Sequence, residues 1–251
     1  MSNLPPVLLT SSVIAMDHSV HLKDEALRIF HTLESIKEWL RINPNGQYIL
    51  CDGSGFDFSP LMIENFPDAN IECLFFINNA DLILKHGKGF GEGEIILYAL
   101  GHSKTLNEAE WFVKCTGKLW VDNFWQCLDQ WNRQFLCQAF FSNVFSLKKS
   151  RLEYVDTRFY LVNKDFYQAH LSRAHIERGG LGKRSIEDRF LEIVMREELS
   201  NFLFETPPIV CGVGGGSGKY YKDSKTRRLK EKLRSWIISH NSKFESLFNK
   251  R

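Results

Sequence analysis

Four short apolar runs, each closing on a polar or glycine-bearing break, narrow the folds open to this chain more than any other feature. They are Val7 to Ala15 (VLLTSSVIA), Gln47 to Cys51 (QYILC), Ile71 to Ile77 (IECLFFI) and Glu110 to Cys115 (EWFVKC). Runs of this length bounded by turn residues read as buried strands. Between the first two, Asp24 to Arg41 places Leu27, Phe30, Leu33, Ile36 and Leu40 at helical spacing. A strand followed by a helix and a second strand opens an α/β fold, and the second strand ends in Asp52-Gly53-Ser54-Gly55. In open α/β sheets the carboxyl ends of the strands are where loop amides and helix N-termini gather around ligands.

Farther along, Tyr154 to Val162 (YVDTRFYLV) reads as a strand, Lys164 to Ala174 as a helix, and Ser185 to Leu203 as a longer helix with Ile186, Phe190, Ile193, Val194 and Leu199 near one side. The aromatic-rich stretch from Trp120 to Phe145 mixes helical and strand signals without a clear order. At 43% hydrophobic and 13% aromatic residues, 251 positions suffice for one sizeable core. The expected division is a catalytic domain over 1–205 and, over 206–251, a glycine-rich loop and helix packed on that domain. The formal charge of +2 is near balance, so anion binding must be local and no nucleic-acid partner is expected. Six cysteines without a CxxC pair sit mostly in apolar runs, as reduced core residues do. No basic leader and no 20-residue apolar span occurs, which points to a cytoplasmic protein.

The most unusual stretch is Lys85-His86-Gly87-Lys88-Gly89-Phe90-Gly91-Glu92-Gly93-Glu94, directly before the apolar run Ile95 to Leu100. Gly89 and Gly91 would let the backbone approach a ligand, the following helix would add partial positive charge, and Lys85 and Lys88 would add full charges. Glu92 or Glu94 would accept from a sugar hydroxyl or cap the helix. A plain surface turn with a capping glutamate fits the same residues. Lys114-Cys115-Thr116-Gly117-Lys118 ends the next strand, so two loops carrying lysine and glycine are expected at neighbouring strand ends.

The tail holds Gly212-Val213-Gly214-Gly215-Gly216-Ser217-Gly218-Lys219. Tyr220 follows Gly218-Lys219 where a Walker loop needs Ser or Thr, which argues against ATP hydrolysis and leaves a linker or a loop closing over a phosphate with Lys219. Thr226 to Phe248 then carries Leu229, Leu233, Trp236, Ile237, His240, Phe244 and Leu247 on one stripe with basic residues beside it, suited to packing on the domain or to an anionic membrane. The histidines show no zinc-like spacing, and His86 alone adjoins the candidate site.

Taken together, KHGKGFGEGEIILYAL, FVKCTGKLWV, YVDTRFYLVNKDFY and SIEDRFLEIV resemble the pattern of bacterial glycosyltransferases that build lipopolysaccharide and capsule glycans on a GT-A-like nucleotide-sugar domain, over residues 5 to 205. The resemblance implies that Asp52 contacts the donor nucleoside, that Lys88 and Glu92 meet the diphosphate or sugar, and that Lys114 and Lys118 frame the same pocket. It places a metal- or sugar-binding acid at Asp156 and the acceptor's base at Glu187 or Asp188. Those two acids also suit an ordinary helix N-terminus after Ser185. Asp156-Thr157-Arg158 departs from Asp-x-Asp. A divalent Mg or Mn ion held by this segment alone would lack oxygen ligands, and Arg158 or the lysines would supply positive charge instead.

The implied activity is transfer of a sugar from an activated donor, a nucleotide diphosphate, to a growing surface glycan or lipid-linked oligosaccharide, with residues 225–248 open to peripheral contact at the inner membrane face. Two other readings keep parts of this pattern: a transferase using a phosphoribosyl diphosphate-type donor without a nucleobase, and a non-catalytic module holding nucleic acid or membrane through the basic tail and Trp120, Trp125 and Trp131.

Overall fold

The structure, a computed structural model, describes residues 4–146, 148–176, 185–221 and 224–249. The chain runs β1 (Val7–Ser11), α1 (Glu25–Ile42), β2 (Tyr48–Asp52), α2 (Ser59–Asn65), β3 (Ile71–Phe75), α3 (Ala80–His86), α4 (Lys88–His102), α5 (Lys104–Asn107) and β4 (Trp111–Thr116). It continues through β5 (Leu119–Val121), α6 (Phe124–Leu128), β6 (Phe135–Ser142), β7 (Arg151–Asn163), α7 (Lys164–Phe166), α8 (Ile186–Arg196), β8 (Val210–Val213), β9 (Tyr220–Tyr221) and α9 (Lys225–Ser239). The stretch without a clear order is thus strand, short helix and strand.

Six strands form one mixed sheet in the order β3-β2-β1-β4-β7-β6, flanked by helices, which is the α/β class expected. β1 pairs in parallel with β2 and β4, β2 with β3, and β7 runs antiparallel between β4 and β6. Side chains alternate along each strand, so Leu8, Ile49, Phe112 and Tyr160 enter one core, with Ile96 of α4 and Phe190 of α8. Val7, Leu9, Leu50, Val113 and Leu161 enter the other, against Ile36 and Trp39 of α1. Burial on both faces is why these strands read as continuous apolar runs. A small antiparallel sheet, β5-β8-β9, ties the tail beside it.

Several expected elements change on folding. α1 turns Arg28, Thr32, Ser35, Ile36 and Trp39 inward and leaves Leu27 and Phe30 48% and 53% exposed. The deciding contacts are polar: Ser35 Oγ and Trp39 Nε1 both donate to the Leu119 carbonyl, at 2.8 and 2.9 Å. The helix read from Lys164 to Ala174 is α7 followed by a π-helical turn, Tyr167–Leu171. The helix read from Ser185 to Leu203 stops at Arg196, because Glu198 and Asn201 take positive φ of 51° and 55°. Leu203 then bridges both Cys137 of β6 and Phe248 of the tail. The tail helix likewise ends at Ser239, and Phe244 packs edge-on against Phe141 at 5.1 Å.

Candidate active site

The glycine-rich stretch is helix rather than loop. α3 and α4 meet at Gly87, whose φ of 89° marks the one sharp turn between them, and Lys88 already begins α4. The glycines serve close packing. A β-carbon on Gly89 would lie 3.0 Å from Ile186, one on Gly91 3.0 Å from Ile83, and one on Gly93 2.2 Å from the His175 ring. Asp17 receives the amide of Lys88 at 2.9 Å and that of Ser19 at 2.8 Å, so a carboxylate from the segment after β1 caps α4. Partial burial works against its charge, yet these donors hold the Asp17 carboxyl below its ordinary value.

This helix start lies over the carboxyl edge of the sheet. The chain steps outward from β1 to β2 to β3 and then returns to the other side of β1 with β4, so connections diverge between β1 and β4. Crevices form at such points. Here one opens to about 800 Å³, lined by Thr10 to Ser12 of the β1 end, Thr116 and Lys118 after β4, Thr157 and Arg158 of β7, Lys85 to Glu92, Ser185 to Glu187 at the start of α8, and Gly214 to Ser217 of the tail.

Of the residues singled out in the sequence, Lys85, Lys88, Gly89, Gly91, Glu92, Lys118, Arg158 and Glu187 line this cavity. Two more stand one side chain behind it. Lys114 is fully buried; its ammonium contacts Glu92 and donates to the Thr157 carbonyl at 2.7 Å and Thr116 Oγ1 at 3.3 Å. Lys114 therefore orients Glu92 instead of facing a ligand, while Thr10 and Thr116 each add a hydroxyl to Glu92 at 3.2 Å. Asp156 accepts from Arg158 Nε at 2.8 and 3.1 Å and from Nη2 at 2.5 Å, the two side chains sharing one face of β7. Burial opposes charge on Arg158, but the hydrogen bonds and charge of Asp156 raise its pKa further. The guanidinium also lies 4.9 Å from the Tyr221 ring centroid.

Four singled-out positions lie outside the lining. Asp52 is buried and accepts from Ser54 N and Oγ at 2.7 and 2.6 Å and from Val13 N at 2.9 Å, so it clamps loops rather than meeting a nucleoside. Gly117 donates its amide to Thr10 O at 2.8 Å, and a β-carbon there would sit 2.8 Å from that oxygen. Asp188 forms a capping box with Ser185, which ties its carboxylate to the helix end. Lys219 is exposed, beyond the part of the tail turn that faces the cavity.

The cavity's electrostatics centre on Lys118. Its side chain is 3% exposed, and among the described residues it has neither a hydrogen-bond nor an ion-pair partner. Burial and the neighbouring Arg28 push its pKa down to about 7. Arg28 is itself buried, donates through Nε to Ser12 O and through Nη1 to Leu22 O, both at 2.7 Å, and is lowered by burial. His175, also lining, holds Glu94 at 2.6 Å; burial lowers its pKa against the pull of that glutamate.

Arg28, Asp17, His175 and Tyr221 were not evident from the sequence. Arg28 hides inside an amphipathic helix pattern, where its spacing from Thr32 and Ile36 was the one available signal. The other three reach the cavity only through tertiary packing.

No family model matches the sequence, and no curated protein does. Among solved structures, the chain is similar to the inositol-1-phosphate CTP transferase from T. maritima, with 13% identity over 92% of this chain and 96% of that one and a TM-score of 0.49. Residues 1–349 of S. aureus TarS in complex with UDP show 10% identity, 95% and 67% coverage and a TM-score of 0.45. The apo bifunctional glycosyltransferase WbbM shows 11% identity and a TM-score of 0.46, with 94% of this chain matching 45% of that one. At these values the likeness carries no functional weight, and the chemistry rests on the site itself.

Proposed function

We propose that this protein is a glycosyltransferase that moves a sugar from a nucleotide-diphosphate donor to a growing bacterial surface glycan. The observation that carries the reading is the convergence of Lys118 and Arg28, both buried, with Lys88 and Arg158 on one cavity at the divergence between β1 and β4. A buried ammonium with no hydrogen-bonded or ion-paired carboxylate among the described residues is expensive, even with Asp52 and Glu92 acting on it from a distance, and fits a site whose ligand brings the negative charge. Glu187 supports the second half of the reaction: it lines the cavity and, unlike Asp188, is free of the cap. In this role it takes the proton of the acceptor hydroxyl.

The exposed side of α9 supports an acceptor held at a membrane. Leu229 and Trp236 are 70% and 60% exposed and Leu233 47%, on the face turned away from buried Ile238, with Lys225 and Lys232 beside them. Lipid-linked oligosaccharide is therefore the acceptor class this reading favours.

Thermal unfolding with a panel of nucleoside diphosphate sugars tests the reading, since a ligand bound by the native state raises stability. At least one donor should raise the midpoint and be turned over, and Glu187→Gln should lower turnover by at least about tenfold with the donor-induced shift retained. Absence of any shift, with or without manganese, overturns it. Stabilisation by phosphoribosyl diphosphate or a nucleoside triphosphate alone would redirect the anion site to another transfer.

A further inference from the structure

The resemblance to nucleotide-sugar transferases raises a divalent cation at the acid of β7, and the residues present do not fit one. Asp156 already gives both oxygens to Arg158. Of the acids that line the cavity, Glu92 is bound to Lys114 and two hydroxyls, and Asp17 to two backbone amides. Glu187 is the one lining carboxylate without a hydrogen-bond partner among the described residues. A hard cation requires a shell of oxygen ligands, and a lone carboxylate facing several ammonium and guanidinium groups supplies neither the ligands nor a favourable field.

The positive charge a metal would bring is already built in. Lys118 follows β4, Arg28 projects from α1 and Lys88 opens α4, so three separate elements send a cation to the same place. Their meeting point is the glycine strip of the tail. A β-carbon on Gly215 would stand 3.7 Å from Lys118 Nζ and 3.8 Å from Arg28 Nη1, and one on Gly216 would stand 2.6 Å from Lys88 Nζ. Side chains there would block these groups. The strip is held down by the His21 amide, which donates to Gly216 O at 3.1 Å.

We propose that Lys118, Arg28 and Lys88, beneath Gly215 and Gly216, hold and neutralise the donor's diphosphate without a divalent cation. This rests on the donor-binding reading above. In the transfer step, the bond between the anomeric carbon and the diphosphate oxygen breaks and its electron pair leaves with the diphosphate, where Lys118 and Arg28 meet the added charge. The acceptor oxygen bonds to that carbon and its proton passes to Glu187. Fixed protein cations stabilise a developing anion in the way a bound metal does.

Calorimetric titration with UDP, GDP, CDP and inorganic pyrophosphate, each in chelator and again with millimolar manganese, decides the matter. Binding of at least one nucleoside diphosphate in chelator, with affinity within about threefold of that in manganese, is the expected result. Lys118→Met should weaken that binding at least about tenfold, and Lys88→Ala, a change at an exposed position, should weaken it about threefold or more. Binding that requires manganese overturns the metal-free cradle and leaves the donor reading standing. Undiminished binding by both variants also overturns it. Should none of the four probes bind under either condition, the donor reading falls and the cradle with it.

Discussion

At the residue scale, Lys118 lines the cavity at a cost to the protein's own stability. In the folded chain its proton is lost near pH 7, whereas an unfolded lysine keeps it to about 10.5. Between these values the unfolded chain holds the extra proton, so this group makes stability rise with pH, and its full penalty is present below about pH 7. Lys118→Met should therefore stabilise the ligand-free protein by about 1–3 kcal/mol at pH 6–7, with the advantage shrinking as pH rises toward 10. Urea unfolding of both proteins across that range measures this. A destabilised variant, or a pH-independent difference, would show that the ammonium is compensated. Lys114 makes the opposite case: equally buried, it is surrounded by Glu92, Thr116 and the Thr157 carbonyl, and its work is orientation. Two lysines of one strand-end motif thus divide into a cavity-lining charge and an internal support, a division invisible in Lys114-Cys115-Thr116-Gly117-Lys118 read as text.

At the element scale, α4 explains an odd composition. Glycine disfavours a helix interior by about 1 kcal/mol relative to alanine, yet this helix carries Gly89, Gly91 and Gly93 in its first turns. Steric need outweighs propensity where neighbours press in. Gly93→Ala should lose about 1–3 kcal/mol, because its new methyl would strike His175 and disturb the His175–Glu94 pair. A β-carbon added at Gly101 of the same helix would meet no atom within 4 Å, and Gly101→Ala should gain about 0.5–1 kcal/mol. Thermal unfolding of the two variants separates packing from propensity; equal effects would refute it.

α9 has a different imbalance. Its outward apolar stripe is largely exposed, with the His240 ring 4.9 Å from that of Trp236, and burying Leu229 and Trp236 in an interface is worth about 1.5–3 kcal/mol each. Wild-type protein should sediment with vesicles rich in anionic phospholipid, less so as salt rises, and Leu229→Ser with Trp236→Ser should reduce binding at least about tenfold. Equal sedimentation of the double variant, or none by wild type, would remove the membrane from the picture.

At the scale of the whole molecule, the sequence alone determined the α/β class, the first four strands of the sheet and the sheet edge at which the cavity lies. These follow from local physics: buried strands must be apolar for four or five residues, and strand ends must break in polar or glycine-bearing turns. Lys118 was legible because it follows a strand end and Lys85 to Glu92 because of their glycines and charges, whereas Arg158, inside β7, and Glu187, at a helix start, were singled out through the resemblance. What only tertiary structure decided was direction. Asp52, Asp156 and Asp188 are acids at strand or helix positions that look as available as Glu187, but each finds a nearer partner in Ser54, Arg158 or Ser185. Arg28, Asp17 and Tyr221 join from distant segments that no spacing rule connects. Apolar periodicity is a property of neighbours along the chain; the partner of a charge is set by whatever the fold brings within about 3 Å, where hydrogen bonding decides.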